Sequence, residues 1–373
     1  MDTMKILGVI DGAPFDYKTW SGSSSYFFNA LKEQGCLYDA IAAEPGAFDR
    51  YRYKLLSFQS DMKKWKFKYH LNTGFYEQRS QAAIQRIEML DNDAYDIILQ
   101  IGAWYDLTHR KDKRTVSYHD GNLQTLLHSP YGYPRIAQSY IWNTIQYEKE
   151  LYHKMDHIFT MSGWLADSFI NDFGVPHQKI TPVGAGINLP YIQRLQDKHY
   201  EEPNILFVGR DFERKGGKQL LEAFAIVRKE IRKARLTIIG PDLSSTPEGV
   251  RCLGFVPKSS KSGISLLLRE YAAASLFVLP SLYEPFGISF AEAMAHCLPC
   301  IGTNICAMPE IVDQGINGYV VPPGDADALS KYMIDLLKQP EKCRRMGEAG
   351  YRKYENNYTW DSVTGKIVAI LSR

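Results

Sequence analysis

Two glutamates flank a Pro-Phe-Gly turn in the segment Ser281-Leu-Tyr-Glu284-Pro-Phe-Gly287-Ile-Ser-Phe-Ala-Glu292. The apolar run SLFVLP comes before it and a helix-forming run follows, so the chain is predicted to pass from a strand through a loop into a helix. A helix that begins after Gly287 offers free N–H groups and its positive dipole end to an anion such as phosphate. Glu292 can accept hydrogen bonds from a vicinal diol such as ribose, and Glu284 can orient sugar hydroxyls. By spacing alone, an ordinary loop acid and a helix-dipole acid explain the pair equally well.

A basic loop stands in a second strand-to-helix passage, Phe207-Val-Gly209-Arg210-Asp-Phe-Glu-Arg-Lys215-Gly216-Gly217-Lys218. Arg210 follows the predicted strand, and Lys215 precedes two glycines that permit close approach of the backbone. Two fixed cations beside a helix N-terminus can neutralise a pyrophosphate, and arginine can bind it through two parallel hydrogen bonds. The Walker pattern GxxxxGK[ST] is absent from this loop. A solvated surface loop is the alternative interpretation.

Short apolar runs alternate with longer helical patterns along the chain, which is typical of parallel sheets built from βαβ units. Ligands of such α/β sheets bind beyond the carboxyl ends of the strands, where both segments above are expected to lie. The predicted strands are Ile6–Ile10, Asp96–Ile101, Thr115–Tyr118, His157–Met161, Ile180–Val183, Asn204–Val208, Leu236–Ile239, Leu276–Leu279, Pro299–Ile301 and Tyr319–Val321. The predicted helices include Ser23–Gln34, Lys218–Arg232 and Ser289–His296.

The length of 373 residues suits two domains of this kind rather than one. A polar stretch bracketed by glycine and proline, near Gly184–Tyr200, separates two series of strands and helices. We therefore expect an N-terminal domain over residues 1–186 and a second domain over residues 187–357. A last helix, over residues 358–373, is expected to cross back to the first domain.

From Asn204 to Trp360 the chain resembles the retaining glycosyltransferases of the GT-B fold, family 4 (glycosyl transferases group 1). The resemblance rests on VGRDFERKGGKQLLEAF, LGFV, LYEPFGISFAEAMAHCLPCIGTN with its Glu-x7-Glu pair, MPEIVDQGINGYVVPPGDADAL and YTWDSV. It implies two Rossmann-like, doubly wound parallel-sheet domains that face each other across a cleft. The second domain is expected to bind a nucleotide-sugar donor and the first domain an acceptor.

The resemblance also implies a role for each matching residue of the second domain. Arg210 and Lys215 are expected to hold the donor diphosphate, and Glu292 the ribose hydroxyls. The transferred sugar and its phosphate are expected to bind Glu284 and the backbone of Phe286, Gly287 and Ile288.

The first half of the chain matches the family more loosely, through Met161-Ser162-Gly-Trp-Leu-Ala-Asp, Phe173-Gly-Val-Pro and Gly186-Ile-Asn188. Gly22 aligns with a glycine loop that approaches donor phosphate and acceptor, and His119 with a histidine that reaches the donor sugar. Without the resemblance, His119 is more simply interpreted as a structural hydrogen-bonding residue. The predicted acceptor-binding residues are Gly22, Ser23, His119 and Asp120. The predicted catalytic residues are His119, Arg210, Lys215 and Glu284.

Three departures from the family pattern concern the same regions. Serines follow Gly22 where the family loop is richer in glycine, and Cys306-Ala307 stand where the family commonly has two glycines. Cys297 replaces another common glycine before Leu-Pro. These differences bear on the details of the donor pocket and leave the acceptor open.

The function implied is retaining transfer of a hexose-type sugar from a UDP- or GDP-sugar to a glycan or lipid-linked acceptor. No carboxylate is evidently placed as a nucleophile, which favours attack on the same face over a covalent two-carboxylate route. The alternatives are another GT-B activity, either a nucleotide-sugar epimerase or a phosphorylase, and a non-catalytic nucleotide-sugar-binding protein.

No metal or other cofactor is expected. Asp91-Asn-Asp93 and Asp325-Ala-Asp327 both spell the DxD pattern that GT-A enzymes use to hold a metal. The second follows Pro-Pro-Gly and precedes a predicted helix, so N-capping is the better explanation for it. His153 and His157 have the i, i+4 spacing of zinc helices but lack the catalytic glutamate between them.

Composition indicates a reduced, cytoplasmic protein. The net charge of +2 gives no reason to expect nucleic acid as a partner. No apolar run reaches the roughly 18–20 residues of a membrane span, and the apolar run near the start is predicted to be a strand rather than a signal peptide. The six cysteines do not form a disulfide pattern, and Cys297-Leu-Pro-Cys300 is interpreted as structural thiols.

Between Arg50 and Lys68 lie seven basic residues and one acid, Asp61. If this stretch is one helix, an apolar stripe runs along it with most cations away from the stripe. Such a helix suits the surface of an anionic membrane, which would bring the first domain to a lipid-linked acceptor. Packing of the stripe on the domain core is the plainer alternative. The stripe consists of Leu55, Phe58, Met62, Trp65 and Tyr69.

Overall fold

The computed structural model describes residues 4–190 and 198–373 and divides the chain into two compact units. The first unit comprises Met1–Gly184 together with Val363–Arg373, and the second comprises Ala185–Ser362. The chain thus leaves the first unit at Gly184 and re-enters it at Val363. The domain boundaries predicted from the sequence are residues 186 and 357.

The first unit contains a six-stranded sheet whose neighbouring strands are all parallel, in the order β2-β1-β3-β4-β5-β6. Its strands are β1 (Ile6–Ile10), β2 (Leu37–Ala42), β3 (Ile97–Ile101), β4 (Arg114–His119), β5 (His157–Thr160) and β6 (Ile180–Pro182). Its helices before the crossover are α1 (Ser23–Glu33), α2 (Ala47–Leu56), α3 (Met62–His70), α4 (Thr73–Glu88), α5 (Leu123–Leu127), α6 (Gln138–Lys154) and α7 (Gly163–Asn171).

Close packing of α1 on the sheet depends on a glycine in β1. A Cβ atom at Gly8 would lie 2.3 Å from the ring of Phe28, so only glycine lets α1 pack this near the strand. The strand itself is buried along its whole length, as expected of a central strand covered on both faces. This packing fixes the loop between β1 and α1, which carries Gly22.

The second unit contains another six-stranded parallel sheet, in the order β12-β11-β10-β7-β8-β9. Its strands are β7 (Asn204–Val208), β8 (Arg235–Ile239), β9 (Val250–Cys252), β10 (Leu276–Val278), β11 (Cys300–Thr303) and β12 (Gly318–Val321). Its helices are α8 (Gly217–Glu230), α9 (Lys261–Ala273), α10 (Ile288–Ala295), α11 (Met308–Ile311), α12 (Ala326–Leu337) and α13 (Pro340–Asn357).

Helix α14 (Trp360–Leu371) contains the point where the chain returns to the first unit. Gln34 Nε2 donates to Thr364 Oγ1 at 2.8 Å, and Arg114 Nη1 donates to the carbonyl oxygen of Leu371 at 2.9 Å. These two side-chain hydrogen bonds join the last helix to the residue that follows α1 and to β4 of the first unit. The end of the chain therefore completes a domain that the start of the chain builds.

All ten predicted strands are present, with ends that differ by no more than two residues. The three predicted helices also occur, as α1, α8 and α10. Strands β2 and β9 were not predicted. Both lie at sheet edges and neither contains a fully buried residue, so they lack the apolar runs that revealed the central strands.

The prediction of one helix through Arg50–Lys68 is wrong. The chain forms α2 and α3 instead, separated by residues 57–61. Asp61 stops a continuous helix by capping α3, since its carboxylate accepts from the backbone N–H groups of Lys63 at 2.8 Å and Lys64 at 3.1 Å. The stripe does not pack on the core as a whole, because Leu55, Phe58 and Met62 are exposed, whereas Trp65 and Tyr69 are partly buried.

The two DxD segments start helical turns. Asp91 begins a 3₁₀ turn and accepts from the N–H of Asp93, and Asp325 caps α12 by accepting from the N–H of Ala328 at 2.8 Å. The N-capping prediction for Asp325 is confirmed. Within the described residues, no three His, Cys, Asp or Glu side chains are grouped as a metal would require, and no helix has the length and apolarity to cross a bilayer. None of the six cysteines forms a disulfide within the described residues.

Capping by Asp325 gives a testable difference between the two acids of that DxD segment. Asp325→Ala should lower the free energy of unfolding by about 1 kcal/mol, and the thermal midpoint by about 2–4 °C, because the N–H of Ala328 loses its acceptor. Asp327→Ala removes only an exposed acid of the first turn and should cost less than half as much. An equal loss in both variants, or a midpoint raised by Mn²⁺ only when both acids are present, would contradict capping.

Candidate functional site

The two loops singled out from sequence meet at the carboxyl ends of neighbouring strands. Strands β7 and β10 are paired in parallel, so the loop after Val208 and the loop after Val278 leave the sheet at the same edge. Lys215 Nζ from the first loop donates to Glu284 Oε2 from the second. The structure thereby brings a predicted cation and a predicted acid into direct contact.

Gly216 makes this meeting of loops possible. Its φ is 73°, and a Cβ atom there would lie 1.9 Å from the carbonyl oxygen of Pro280, which no side chain could avoid. Gly216 also caps α8, so the basic loop passes directly from Lys215 into the helix. Glycine at this position is therefore required by both backbone conformation and space.

Arg214 is a functional candidate that sequence reasoning missed. Its Nη1 donates to the carbonyl oxygen of Tyr283 at 2.7 Å and lies 3.8 Å from Glu284 Oε2. Glu284 is buried and thus faces two cations from the neighbouring loop, with Ser281 Oγ 3.5 Å from the same oxygen. The basic composition of the loop was the available signal, but sequence could not show which cation turns towards Glu284.

Helix α10 begins directly after this acid. Gly287, with φ 85°, caps the helix in a left-handed conformation that side chains rarely adopt, and no side chain caps the N-terminal amides. Phe286 is buried against Tyr358, with ring centroids 6.0 Å apart, which holds the turn in place. Ile288 opens the helix. The predicted anion-binding helix start is therefore present beside Glu284.

Glu292, in the middle of α10, is buried and already bonded at both carboxylate oxygens. Lys258 Nζ donates to Oε1, and the hydroxyl of Tyr271 donates to Oε2 at 3.0 Å. His296 stacks on Tyr271 with ring centroids 4.8 Å apart, and burial lowers the pKa of His296 to about 4. Because Lys258 is partly exposed, a bound diol can exchange with it at Oε1 while Tyr271 keeps Oε2 in place. Sequence reasoning missed Lys258, in the loop before α9, and Tyr271, in α9.

Arg210 lies at the surface beyond the end of β7. Its guanidinium carbon is 5.1 Å from the centroid of the exposed ring of Phe255, and it makes no ion pair with any residue of the described ranges. The loop approaches β8 closely, since a Cβ atom at Gly240 would lie 2.4 Å from the carbonyl oxygen of Gly209. Arg210 thus remains a cation available to an anion, whereas Lys215 is already paired.

In the first unit, His119 ends β4 and is buried against the rings of Tyr152 and Phe169, whose centroids lie 5.4 and 5.0 Å from its own. Burial lowers the pKa of His119 to about 3, so the imidazole is neutral at ordinary pH. Its Nε2 is buried and has no hydrogen-bond partner among residues 4–190 and 198–373. Such a nitrogen can form a hydrogen bond with a bound group, and the role of His119 at the donor sugar stays a prediction.

The loop that carries Gly22 has an unusual backbone. Trp20, Ser21 and Gly22 have φ values of 47°, 57° and 89°, so three consecutive residues are left-handed. Non-glycine residues in this region cost on the order of 1 kcal/mol or more unless other contacts compensate. Trp20 Nε1 donates to Asp120 Oδ2 at 2.8 Å and supplies such a contact. This bond joins the Gly22 loop, and Ser23 at the start of α1, to the His119-Asp120 segment.

Asp120 is exposed as a residue, but the surrounding protein desolvates its carboxyl group and thereby raises the pKa of that group. The hydrogen bond from Trp20 lowers the same pKa by a smaller amount. The predicted residues of the first unit therefore form one group at the ends of β1 and β4. In the second unit, Lys215 and the start of α10 at Gly287 lie against Glu284, whereas Arg210 lies beside Phe255 and Glu292 beside Lys258 and Tyr271. These placements leave the assigned roles as predictions.

Comparison with known proteins shows a family match over the part of the chain that contains the site residues of the second unit. A family model described as glycosyl transferases group 1 matches residues 192–353. An MMP alpha-(1->4)-mannosyltransferase of Mycolicibacterium hassiacum is 27% identical over 235 residues, which cover 61% of this chain and 57% of that protein. The O-antigen chain mannosyltransferase B of Escherichia coli is 27% identical over 292 residues, 72% of each chain.

Solved structures give the same fold over almost the whole chain. The sucrose-phosphate synthase of Thermosynechococcus elongatus has a TM-score of 0.69 at 17% identity and covers 99% of this chain and 98% of its own. Anabaena HepE, crystallised with UDP, has a TM-score of 0.67 at 16% identity and covers 99% of this chain and 100% of its own. The predicted GT-B fold class, with two Rossmann-like domains, is confirmed.

Two buried groups of the first unit should give opposite pH dependences of stability. Glu148 of α6 accepts from the N–H of Leu123 at 3.0 Å, and burial raises its pKa from the ordinary 4.5 to about 7. The folded state therefore holds an extra proton between pH 4.5 and 7, and stability is lost as the pH rises through that window. His119 is the reverse case, since its pKa falls from 6.5 to about 3 and stability is lost as the pH falls below 6.5.

Glu148→Gln should flatten the loss of stability towards pH 7, and His119→Gln should flatten the loss towards acid pH. Each removes up to about 1.4 kcal/mol per pH unit inside its own window. Thermal midpoints of the parent and both variants from pH 4 to pH 8 measure the slopes, and each variant is the control for the other. Parallel curves for all three proteins would show that these groups titrate normally.

Proposed function

We propose that this chain, whose residues 192–353 belong to the glycosyl transferases group 1, transfers a hexose from a nucleoside diphosphate donor to a glycan or lipid-linked acceptor. One observation carries the proposal. At the paired ends of β7 and β10, Lys215 and Arg214 meet Glu284 directly beside the uncapped start of α10. Cations, an acid and free amides within one loop junction are the groups that a sugar phosphate requires.

The donor diphosphate is placed between the basic loop and the start of α10. Arg210 is unpaired within the described part of the chain, so it can bind a phosphate without first giving up a partner. Lys215 exchanges Glu284 for the diphosphate, which frees the Glu284 carboxylate for sugar hydroxyls. The backbone of Phe286, Gly287 and Ile288 contributes amides, and Glu292 takes the ribose hydroxyls.

The reaction breaks the bond between the anomeric carbon and the diphosphate oxygen, and the electron pair leaves with the phosphate. Negative charge on the departing diphosphate grows in the transition state, so cations and amides fixed around it lower the barrier. These groups do what a metal ion does in other enzymes, and we propose that no metal is needed. Arg210 and Lys215 are therefore catalytic residues in this proposal.

Retention of configuration follows if the acceptor attacks on the face from which the diphosphate leaves. The acceptor hydroxyl oxygen forms the new bond, and its proton passes to the departing phosphate oxygen. Neutral His119, with Nε2 free, is assigned to the donor sugar, and Gly22, Ser23 and Asp120 are assigned to the acceptor side. The anomeric configuration of the product, read by NMR, tests this assignment.

Relatives narrow the donors to test first. The two curated relatives described above are named as mannosyltransferases, and the HepE structure contains UDP. We therefore propose that the donor is a UDP- or GDP-hexose, and mannose is the first sugar to test. Thermal-shift measurements with UDP, GDP, ADP and dTDP identify the base, because a ligand that binds the folded state raises its melting temperature.

Arg210→Ala and Lys215→Ala should each reduce turnover by about 100-fold or more with the donor so identified, because each removes a charge that stabilises the transition state. Lys229→Ala, which removes an exposed lysine from the last turn of α8, is the matched control and should leave turnover unchanged. Circular dichroism and thermal midpoints establish that the variants are folded. Near-parental rates in both variants would place the diphosphate elsewhere.

The products distinguish this proposal from its alternatives. Labelled sugar transferred to an acceptor supports glycosyl transfer. An isomerised donor would instead indicate an epimerase, and release of a sugar phosphate from a glycan a phosphorylase. Tight nucleotide binding without turnover for any acceptor would indicate a binding protein.

Chelation tests the metal-independent mechanism. Excess EDTA should leave the initial rate within experimental error of the untreated enzyme, because Arg210, Lys215 and the start of α10 stabilise the leaving group. The control is the same enzyme after dialysis with Mn²⁺ or Mg²⁺. Loss of activity on chelation that either ion restores would contradict the mechanism and return attention to Asp91 and Asp325.

A further inference from the structure

No residue of helices α2 and α3 of the first unit is fully buried, although both helices are rich in large apolar side chains. Phe48 is 77% exposed and Tyr51 63%, and the region between the helices exposes Phe58. Scattered exposed apolar residues are ordinary, but a contiguous group marks an interaction surface. We call residues 47–70 the α2–α3 surface. Its exposed large apolar residues are Phe48, Tyr51, Leu55, Leu56, Phe58 and Met62.

Helical spacing aligns the apolar residues of α2. Phe48, Tyr51 and Leu55 stand at positions i, i+3 and i+7, and such residues share one face of a helix. All three are exposed, so this apolar face points to solvent instead of to the domain core. Transfer of this apolar face from water into an apolar environment would therefore still lower the free energy.

Cations surround this apolar face. Seven basic residues and one acid lie between Arg50 and Lys68, and Asp61 is engaged in capping α3. Four of the cations are exposed, whereas Arg50 pairs with Glu44 and Lys68 lies over the ring of Tyr140 at 5.0 Å. The four exposed cations are Arg52, Lys54, Lys63 and Lys66.

Polar and aromatic contacts hold the two helices in position. Trp65 Nε1 donates to the carbonyl oxygen of Lys54 at 2.8 Å, which ties α3 to the end of α2. The buried Ser57 accepts from Asn72 Nδ2 at 3.2 Å, and Tyr53 packs on Phe75 with ring centroids 5.2 Å apart. The apolar and basic side chains are therefore displayed on a structured support.

We propose that the α2–α3 surface docks the first unit on an anionic lipid bilayer. Exposed apolar side chains enter the boundary between headgroups and acyl chains, and the surrounding lysines and arginines bind lipid phosphates. The apolar side chains are then removed from water, and the cations are paired with phosphates. The proposal does not depend on the proposed sugar transfer, since it concerns binding to lipid alone.

A protein partner fits the surface less well. The cores of protein interfaces are depleted in lysine, and a symmetric contact with a second copy of this chain would bring four exposed cations against four. An anionic bilayer complements the charge of the exposed cations and accepts aromatic side chains at its interface. Self-association is therefore retained only as an outcome of the experiment.

Co-sedimentation of the full chain with vesicles tests the proposal. The chain should bind vesicles that contain phosphatidylglycerol at least about 10-fold more tightly than vesicles of phosphatidylcholine alone, and 0.5 M salt should weaken the binding because charges are screened. Replacing four exposed cations by glutamine should weaken binding by about 100-fold or more, since each cation near the surface contributes about fivefold. The substitutions are Arg52→Gln, Lys54→Gln, Lys63→Gln and Lys66→Gln.

A matched control removes the same net charge elsewhere. Four exposed cations around the end of α8 and the start of β8 belong to the second unit, and their loss should change vesicle binding by less than about twofold, because they lie outside the docking surface. A third variant keeps every charge and replaces three exposed apolar residues, which should weaken binding at least about 10-fold. The control substitutions are Lys229→Gln, Arg232→Gln, Lys233→Gln and Arg235→Gln. The apolar substitutions are Phe48→Ser, Tyr51→Ser and Leu55→Ser.

Several results would overturn the proposal. They are failure to bind either kind of vesicle at low salt, equal binding to both kinds, and a loss of binding in the control variant as large as that in the variant with the four replaced cations.

Sedimentation velocity without vesicles tests whether the surface is instead an interface between two copies of the chain. A parent that dimerises, an apolar variant that stays monomeric, and no vesicle binding by either would make the surface an interface between two copies. Folding of every variant is checked by its thermal midpoint, which should stay near that of the parent because all the replaced side chains are exposed.

Discussion

Gly216 approaches the carbonyl oxygen of Pro280 so closely that a Cβ atom would lie 1.9 Å from it. This contact between two backbones sets the distance between the loops that follow β7 and β10. Lys215 precedes the contact on one side and Glu284 follows it on the other, so their pairing depends on it. The start of α10 and the contact of Arg214 with Tyr283 belong to the same junction. A cation, an acid and free amides are thus assembled by a backbone constraint rather than by the charges themselves.

Much of this junction could be predicted from the sequence, because strand ends and glycines carry strong local signals. Lys215, Glu284 and Gly287 were each assigned to a strand-to-helix loop, and parallel sheets place such loops at one edge. The direct contact between Lys215 and Glu284 was beyond prediction, since it requires the strand order that pairs β7 with β10. The partners of Glu292 were missed for a related reason. Lys258 and Tyr271 arrive from other elements, and nothing in their spacing marks them.

Residues 47–70 show the opposite case, where a periodic pattern was present but misled. A single helix explained the spacing of apolar residues well, yet Asp61 caps a second helix and breaks the stripe. Local capping outweighed the pattern because a side-chain acceptor at the right position satisfies two N–H groups at once. Burial could not be predicted either, since apolar periodicity indicates that an apolar face exists and not what covers it. The edge strands β2 and β9 escaped prediction because half-exposed strands lack a continuous apolar run.

The exposed cations of the α2–α3 surface change the meaning of the overall charge. With a net charge of only +2, the chain looks almost neutral as a whole, but the seven cations between Arg50 and Lys68 leave the remaining residues net acidic. Positive charge is therefore concentrated on one structured segment of the first unit, where four of the seven cations are exposed. A local concentration of charge attracts an oppositely charged object even when the total charge is small, so the protein meets such an object through this segment first. Its isoelectric point describes how it moves in an electrophoresis gel, and says little about which side arrives first.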